Sequence, residues 1–209
     1  WIEAVGAAAE EAEAAAAAKA DGGSPTAAAL AAWGALRQLM RSVEPYCHPS
    51  NVGGYSAAIG YLIQALAQFM SWRRLLEGGG SHAAAAGPLL PDDDGAFVRL
   101  MLPHTVLALY AKNPLLSRMA QSAAKYLGAL RPELVLPALS ERLADGLLAV
   151  TATHQTATAM QTLSVLAPPM LTLCPAAGEG WGAGWGAGWA GGPRAMRDLL
   201  ELALPGIDA

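Results

Sequence analysis

The chain has 209 residues, enough for one large domain or for several stacked repeats that share a continuous core. Apolar residues make up 54% of it, aromatics 6% and charged residues 14%, and the net charge is −4. This composition excludes a basic nucleic-acid-binding face, since the densest basic pair is Arg73-Arg74. Cys47 and Cys174 stand far apart and fit buried free thiols of a reducing compartment better than a disulfide framework. Alanine and leucine abound while strand-filling residues are scarce, so the class expected is all-α.

Residues 2–20 carry eleven alanines with Glu3, Glu10, Glu11, Glu13 and Lys19, a helix-favouring stretch with almost no large apolar side chain. Residues 1–24 are therefore expected to form a peripheral or poorly ordered helix, ended by Gly22-Gly23-Ser24-Pro25. A helix with Leu30, Trp33, Leu36 and Met40 on one face is expected from about Thr26 to Val43, with Pro45 as its stop. Pro49 should hold His48 extended, and Ser50 or Asn51 should cap the following helix, whose stripe is Ile59, Ile63, Leu66 and Met70. Residues 77–94, with four glycines, two prolines and three aspartates, read as a flexible insertion.

The next helix carries Phe97, Leu100, Met101, His104 and Leu107, with Pro103 inside it. Asn113-Pro114 reads as a cap followed by proline at the first helical position, ahead of Leu116, Met119, Ala123 and Leu127. Arg131-Pro132 should close that helix and open another through Leu136, Leu139, Leu143 and Leu147. A further helix should run from Thr151 or Thr153 to the pair Pro168-Pro169. Residues 175–192, with the repeated Trp-Gly-Ala-Gly unit, read as a second flexible insertion, and a last helix should stop at Pro205-Gly206.

Consecutive helices with short turns indicate an α-solenoid. The first helices of successive pairs are expected to begin at Phe97 and Pro132, slightly short of the HEAT or armadillo period of roughly 40 to 47 residues and close to the tetratricopeptide length of about 34. The tetratricopeptide aromatic and glycine pattern is absent, however, and prolines such as Pro103 and Pro137 suit HEAT-like kinks. Residues 25–209 are thus expected to be a HEAT/armadillo-like solenoid of antiparallel helix pairs. The chain opens on Trp1 and is expected to begin and end inside a longer protein.

Two uncharged runs, Gly53–Trp72 and Gly146–Ala177, have the length of a membrane span. Their Ser, Gln, Thr, His and Pro content favours helices buried in protein, so no membrane partner is expected. The histidines His48, His82, His104 and His154 lack metal-ligand spacing, and His104 and His154 are expected at helix–helix contacts. Gly182 to Gly186 mimic a phosphate loop without the strand and lysine it needs. Asp92-Asp93-Asp94 fit the positive end of a helix better than a cation. Cys47 beside His48 suggests an activated thiol, yet adjacent residues of an extended segment point apart. Neither a catalytic group nor a metal nor a cofactor is expected within this segment, and an enzyme is not the expected class.

Three segments carry a resemblance. Ser42-Val43-Glu44 followed by His48-Pro49-Ser50-Asn51 and Gly53 resembles a Ser-Val-Glu-x-x-x-His-Pro-Ser-Asn-x-Gly run of the proteasome activator complex subunit 4 family, known in yeast as bleomycin-resistance protein ten. Arg131-Pro132-Glu133-Leu134-Val135 with Pro137 is similar to a helix start of that family, and Leu204-Pro205-Gly206-Ile207-Asp208 to one of its turns. Tyr55 stands where the family usually has tryptophan. The resemblance implies a HEAT-like solenoid of a protein that wraps into a dome on the 20S proteasome core and promotes gate opening. It implies location in nucleus and cytoplasm, ubiquitin-independent degradation extending to acetylated histones, a link to DNA repair, and inositol phosphates as ligands of the full-length family. No inositol phosphate or acetyl-lysine residue of the family maps onto this chain. His48, Pro49, Ser50, Asn51, Gly53, Arg131, Pro132, Glu133, Pro205 and Gly206 are expected to be fold signatures. The competing expectation, resting on periodicity alone, is a generic HEAT-repeat adaptor for protein–protein interaction.

Overall fold

The fold was analysed in a computed structural model, which describes residues 27–51, 53–78, 92–148 and 153–172. The alanine-rich segment 1–24, most of the insertion expected at 77–94, the insertion at 175–192, the last expected helix, Cys174, Pro205 and Gly206 lie outside the described residues. The described residues form six helices and no strand: α1 (Ala27–Cys47), α2 (Ser56–Gly78), α3 (Asp93–Leu109), α4 (Pro114–Leu130), α5 (Pro132–Leu148) and α6 (Thr153–Thr172).

The helices pack in two layers. α1, α3 and α5 form one row and α2, α4 and α6 the other, and each odd helix packs on the even helix that follows it. The most extensive packing is between α2 and α4. The repeat from α3 to α5 runs from Asp93 to Pro132, about 40 positions, the HEAT length. The shorter spacing inferred from Phe97 arose because Asp93 and Asp94 already form the first turn, where their carboxylates meet the helix's positive end.

Between the rows lies a core of fully buried Met40, Ile63, Val98, Met101, Leu109, Leu116, Leu127, Leu136, Leu139, Leu143 and Leu166. Each such side chain contributes roughly 1.5–3 kcal/mol relative to exposure. Small residues set the spacing of α2 and α4. A Cβ at Gly60 would lie 3.2 Å from Met119 Cβ and 3.3 Å from Leu116 Cδ1. α4 offers Ala120, Ala123 and Ala124 as further buried small residues, so the two backbones approach closely.

Proline punctuates some helices and not others. Asn113 caps α4 as expected: its side chain accepts from the N–H of Leu115 (3.0 Å) and of Leu116 (3.4 Å), with Pro114 at the start of the helix. Pro45, in contrast, does not stop α1, which continues to Cys47. Pro168-Pro169 likewise lie within α6, which runs to Thr172. Proline has a helical φ, so its cost is one hydrogen bond and a local clash. Burial of Cys47 beyond Pro45 offsets that cost in α1. Pro103 and Pro137 also sit inside α3 and α5.

Candidate functional site

The signature residues occupy two helix junctions. After α1, the backbone N–H of Asn51 donates to the carbonyl of His48 (2.9 Å), closing a turn with Pro49 at its second position. His48 Nδ1 accepts from the Ser50 N–H (3.2 Å), so the ring serves the turn. Asn51 Oδ1 accepts from the Gly53 N–H (2.8 Å), and its Nδ2 donates to the Pro45 carbonyl (3.4 Å). Neither Ser50 nor Asn51 caps α2, which begins only at Ser56. The tight Asn51–Gly53 turn uses up the side chain that was expected to cap. Pro49 ties this turn to the next repeat by accepting from the Lys112 N–H (3.1 Å).

Arg131, Pro132 and Glu133 form the junction of α4 and α5. The Arg131 N–H closes α4 on the Leu127 carbonyl, while the Arg131 carbonyl accepts from the N–H groups of Leu134 (3.1 Å) and Val135 (3.2 Å). Pro132 opens α5, and Glu133, in its first turn, pairs with Arg131. The Arg131 guanidinium also covers Gly95 of α3, where a Cβ would meet Nη1 of Arg131 and of Arg99 at 3.1 Å. Nearby, Arg74 of α2 bonds Asp94 at 2.6 Å and Glu77 at 3.5 Å. The bond to Asp94 raises the Arg74 pKa.

The structure does not unite the two junctions. They lie at opposite ends of α3 and α4, 17 residues each, about 25 Å apart along the axes. Their bonds hold chain turns and join repeats.

The titratable groups follow the same logic. Cys47 is fully buried and its thiol donates to the Val43 carbonyl (3.5 Å). Burial, reinforced by the charge of Glu44, pushes that thiol up to about 12. His48 is exposed and turned to Ser50, so the pair is no activated thiol. His104 is buried between α3 and α1, with Nδ1 against the Leu100 carbonyl (3.0 Å) and Nε2 without a hydrogen-bond partner. Burial lowers its pKa, opposed by the Leu100 carbonyl, Glu44 and the Met40 carbonyl. Tyr110, at the end of α3, donates its hydroxyl to the Arg142 carbonyl of α5 (2.9 Å). Burial pushes it up to about 12, with Arg142 opposing and Asp145 adding.

His154 departs from expectation: it is exposed at the start of α6. It borders a cleft of about 480 Å³ between α4, α6 and the α3–α4 turn, lined also by Tyr110, Lys112, Arg118, Gln121 and Gln161. Gln121 Nε2 donates to Gln161 Oε1 across its floor (3.3 Å). The lining mixes cationic and neutral hydrogen-bonding groups and contains no carboxylate. Sequence reasoning missed this cleft because its residues come from three elements with no shared spacing.

A family model described as Proteasome activator complex subunit 4, mid HEAT repeats region, matches residues 36–209. The chain belongs to this family. The proteasome activator complex subunit 4 of Homo sapiens is 29% identical over 179 residues, 83% of this chain and 9% of the human protein. The proteasome activator subunit 4 of Arabidopsis thaliana is 31% identical over 129 residues, 62% of this chain and 7% of the plant protein. The Xenopus laevis protein is 28% identical over 179 residues. The chain thus spans less than a tenth of the relatives it matches. The mid HEAT region includes both junctions, and the all-helical two-layer fold agrees with it.

Proposed function

We propose that this chain is a wall segment of a proteasome activator that caps the 20S core particle and promotes opening of its gate. The family match over residues 36–209 carries this reading. It is supported by junctions whose hydrogen bonds tie one repeat to the next, as at Pro49 and Lys112. The segment acts as architecture: it sets the curvature and rigidity of a larger array and performs no chemistry of its own. In this reading the full-length protein works in nucleus and cytoplasm, promotes ubiquitin-independent degradation that extends to acetylated histones, and takes inositol phosphates as its ligands. Its partner is the 20S core, with no direct contact to nucleic acid or membrane.

The test is biochemical. The full-length protein should co-purify with 20S particles and raise their hydrolysis of short fluorogenic peptides several-fold. Absence of both at low salt overturns the proposal.

A further inference from the structure

α2 is apolar on two opposite faces. Gly60, Ile63 and Ala67 are buried, with Gly60 against α4. On the other side Tyr61, Phe69, Trp72, Leu75 and Leu76 face outward, with Phe69 at 65% and Leu75 at 75% exposure. At 3.6 residues per turn, Trp72 stands diametrically opposite Ile63. Phe69 and Trp72 pack edge to face, centroids 5.9 Å apart, and form one ridge. From Ser56 to Trp72 the helix carries no charge, and its charged residues Arg73, Arg74 and Glu77 all lie in its last turns. A helix that faces water on one side normally shows charge there, whereas one that is apolar all round is buried all round. Among the described residues no helix is long and apolar enough to cross a membrane.

The position of α2 says what covers it. In the row α6, α4, α2, the middle helix has a neighbour on each side, and α2 stands at the end. The row runs toward earlier residues, so its next member belongs to the repeat before α1. A repeat that ends an array carries a polar outer face, and this one does not. The chain spans less than a tenth of its relatives, so ample polypeptide exists to supply that repeat.

We infer that the Tyr61–Leu76 face of α2 is a repeat-to-repeat interface, covered by a helix of the repeat that precedes Ala27 in the same polypeptide. The inference rests on the chain being part of a longer repeat array. The covering helix presents small and aliphatic residues, as α4 does on the opposite side. The interface extends the α2–α4 seam by one more helix and makes Trp72 an internal anchor.

Photocrosslinking in the full-length polypeptide tests this. Benzoylphenylalanine replaces Leu75 in one sample and Lys125, on the exposed side of α4, in a second. The expected result is an intramolecular crosslink from position 75 to a segment upstream of Ala27, at several times the yield from position 125. A crosslink to a second copy, to a 20S subunit or to residues after Thr172 overturns the inference, as does a yield no greater than the control. Stimulation of the 20S core is measured on the same samples. A lost crosslink with stimulation retained refutes the interface alone, and a retained crosslink without 20S association refutes the activator reading alone.

Discussion

α2 and α4 pack against each other more extensively than any other pair, yet they have opposite outer surfaces. α4 buries Leu116, Ala120, Ala123, Ala124 and Leu127 and turns Arg118, Lys125 and Ala129 to solvent. α2 buries Ile63 and Ala67 and turns Tyr61, Phe69, Trp72 and Leu75 to solvent. The difference teaches that position in the array, rather than helix propensity, dictates which faces become apolar.

The largest effect that sharpens this contrast is a truncation. Leu116→Ala, at the α4 seam, should cost about 2–5 kcal/mol in denaturant unfolding of the 209-residue chain. Leu75→Ala on the outer face of α2 should stay within about 0.5 kcal/mol there. Equal costs would break the distinction between seam and open face.

Alkali should probe the other layer on the order of a few kcal/mol. Folding raises the pKa of Cys47 from 9.0 and of Tyr110 from 10.0, each to about 12. The folded state therefore holds these protons more tightly. The stability they contribute is complete below about pH 9 and falls as pH rises toward 12. The acid side runs the other way for His104, whose folded pKa lies below 6.5. Its contribution is complete above pH 6.5 and is lost as pH falls through the folded value. Thermal unfolding across pH, with His104→Leu removing the acid arm, checks both signs.

Gly60→Val should cost about 1–3 kcal/mol, because the new side chain meets Met119 Cβ, which cannot move without its helix. Calorimetry of the variant measures this. Asn113→Ala should cost about 1 kcal/mol by exposing two N–H groups of α4. Ser56→Ala at the start of α2 should cost nothing or stabilise slightly, because the buried Ser56 hydroxyl has no partner. Gly34→Ala lies in exposed α1, where nothing is within 4 Å of the new Cβ. A gain of about 0.5–1 kcal/mol is expected from helix propensity.

Local chemistry made much of the fold legible in the sequence. Asn113-Pro114 and Arg131-Pro132 mark boundaries through cap and proline geometry that needs no tertiary partner, and both are where they were expected. Pro45 misled because packing of Cys47 further along the helix outweighed a local penalty, and Pro168-Pro169 likewise lie inside a helix rather than at its end. Asn51 misled because two sets of N–H donors competed for one acceptor, its Oδ1, and the nearby Gly53 N–H won over the start of α2. The His48 and Arg131 junctions were visible as motifs, but their link to other repeats, through Lys112 and Gly95, was not.

The sequence by itself determined the helical class, the capped boundaries and the uncharged run from Gly53 to Trp72, since composition, caps and charge act within a few residues. Tertiary structure alone decided the two-layer order, the Gly60 seam, the cleft at His154 and the open side of α2. Each of these depends on which helices become neighbours, and that is set by contacts between residues far apart in the chain.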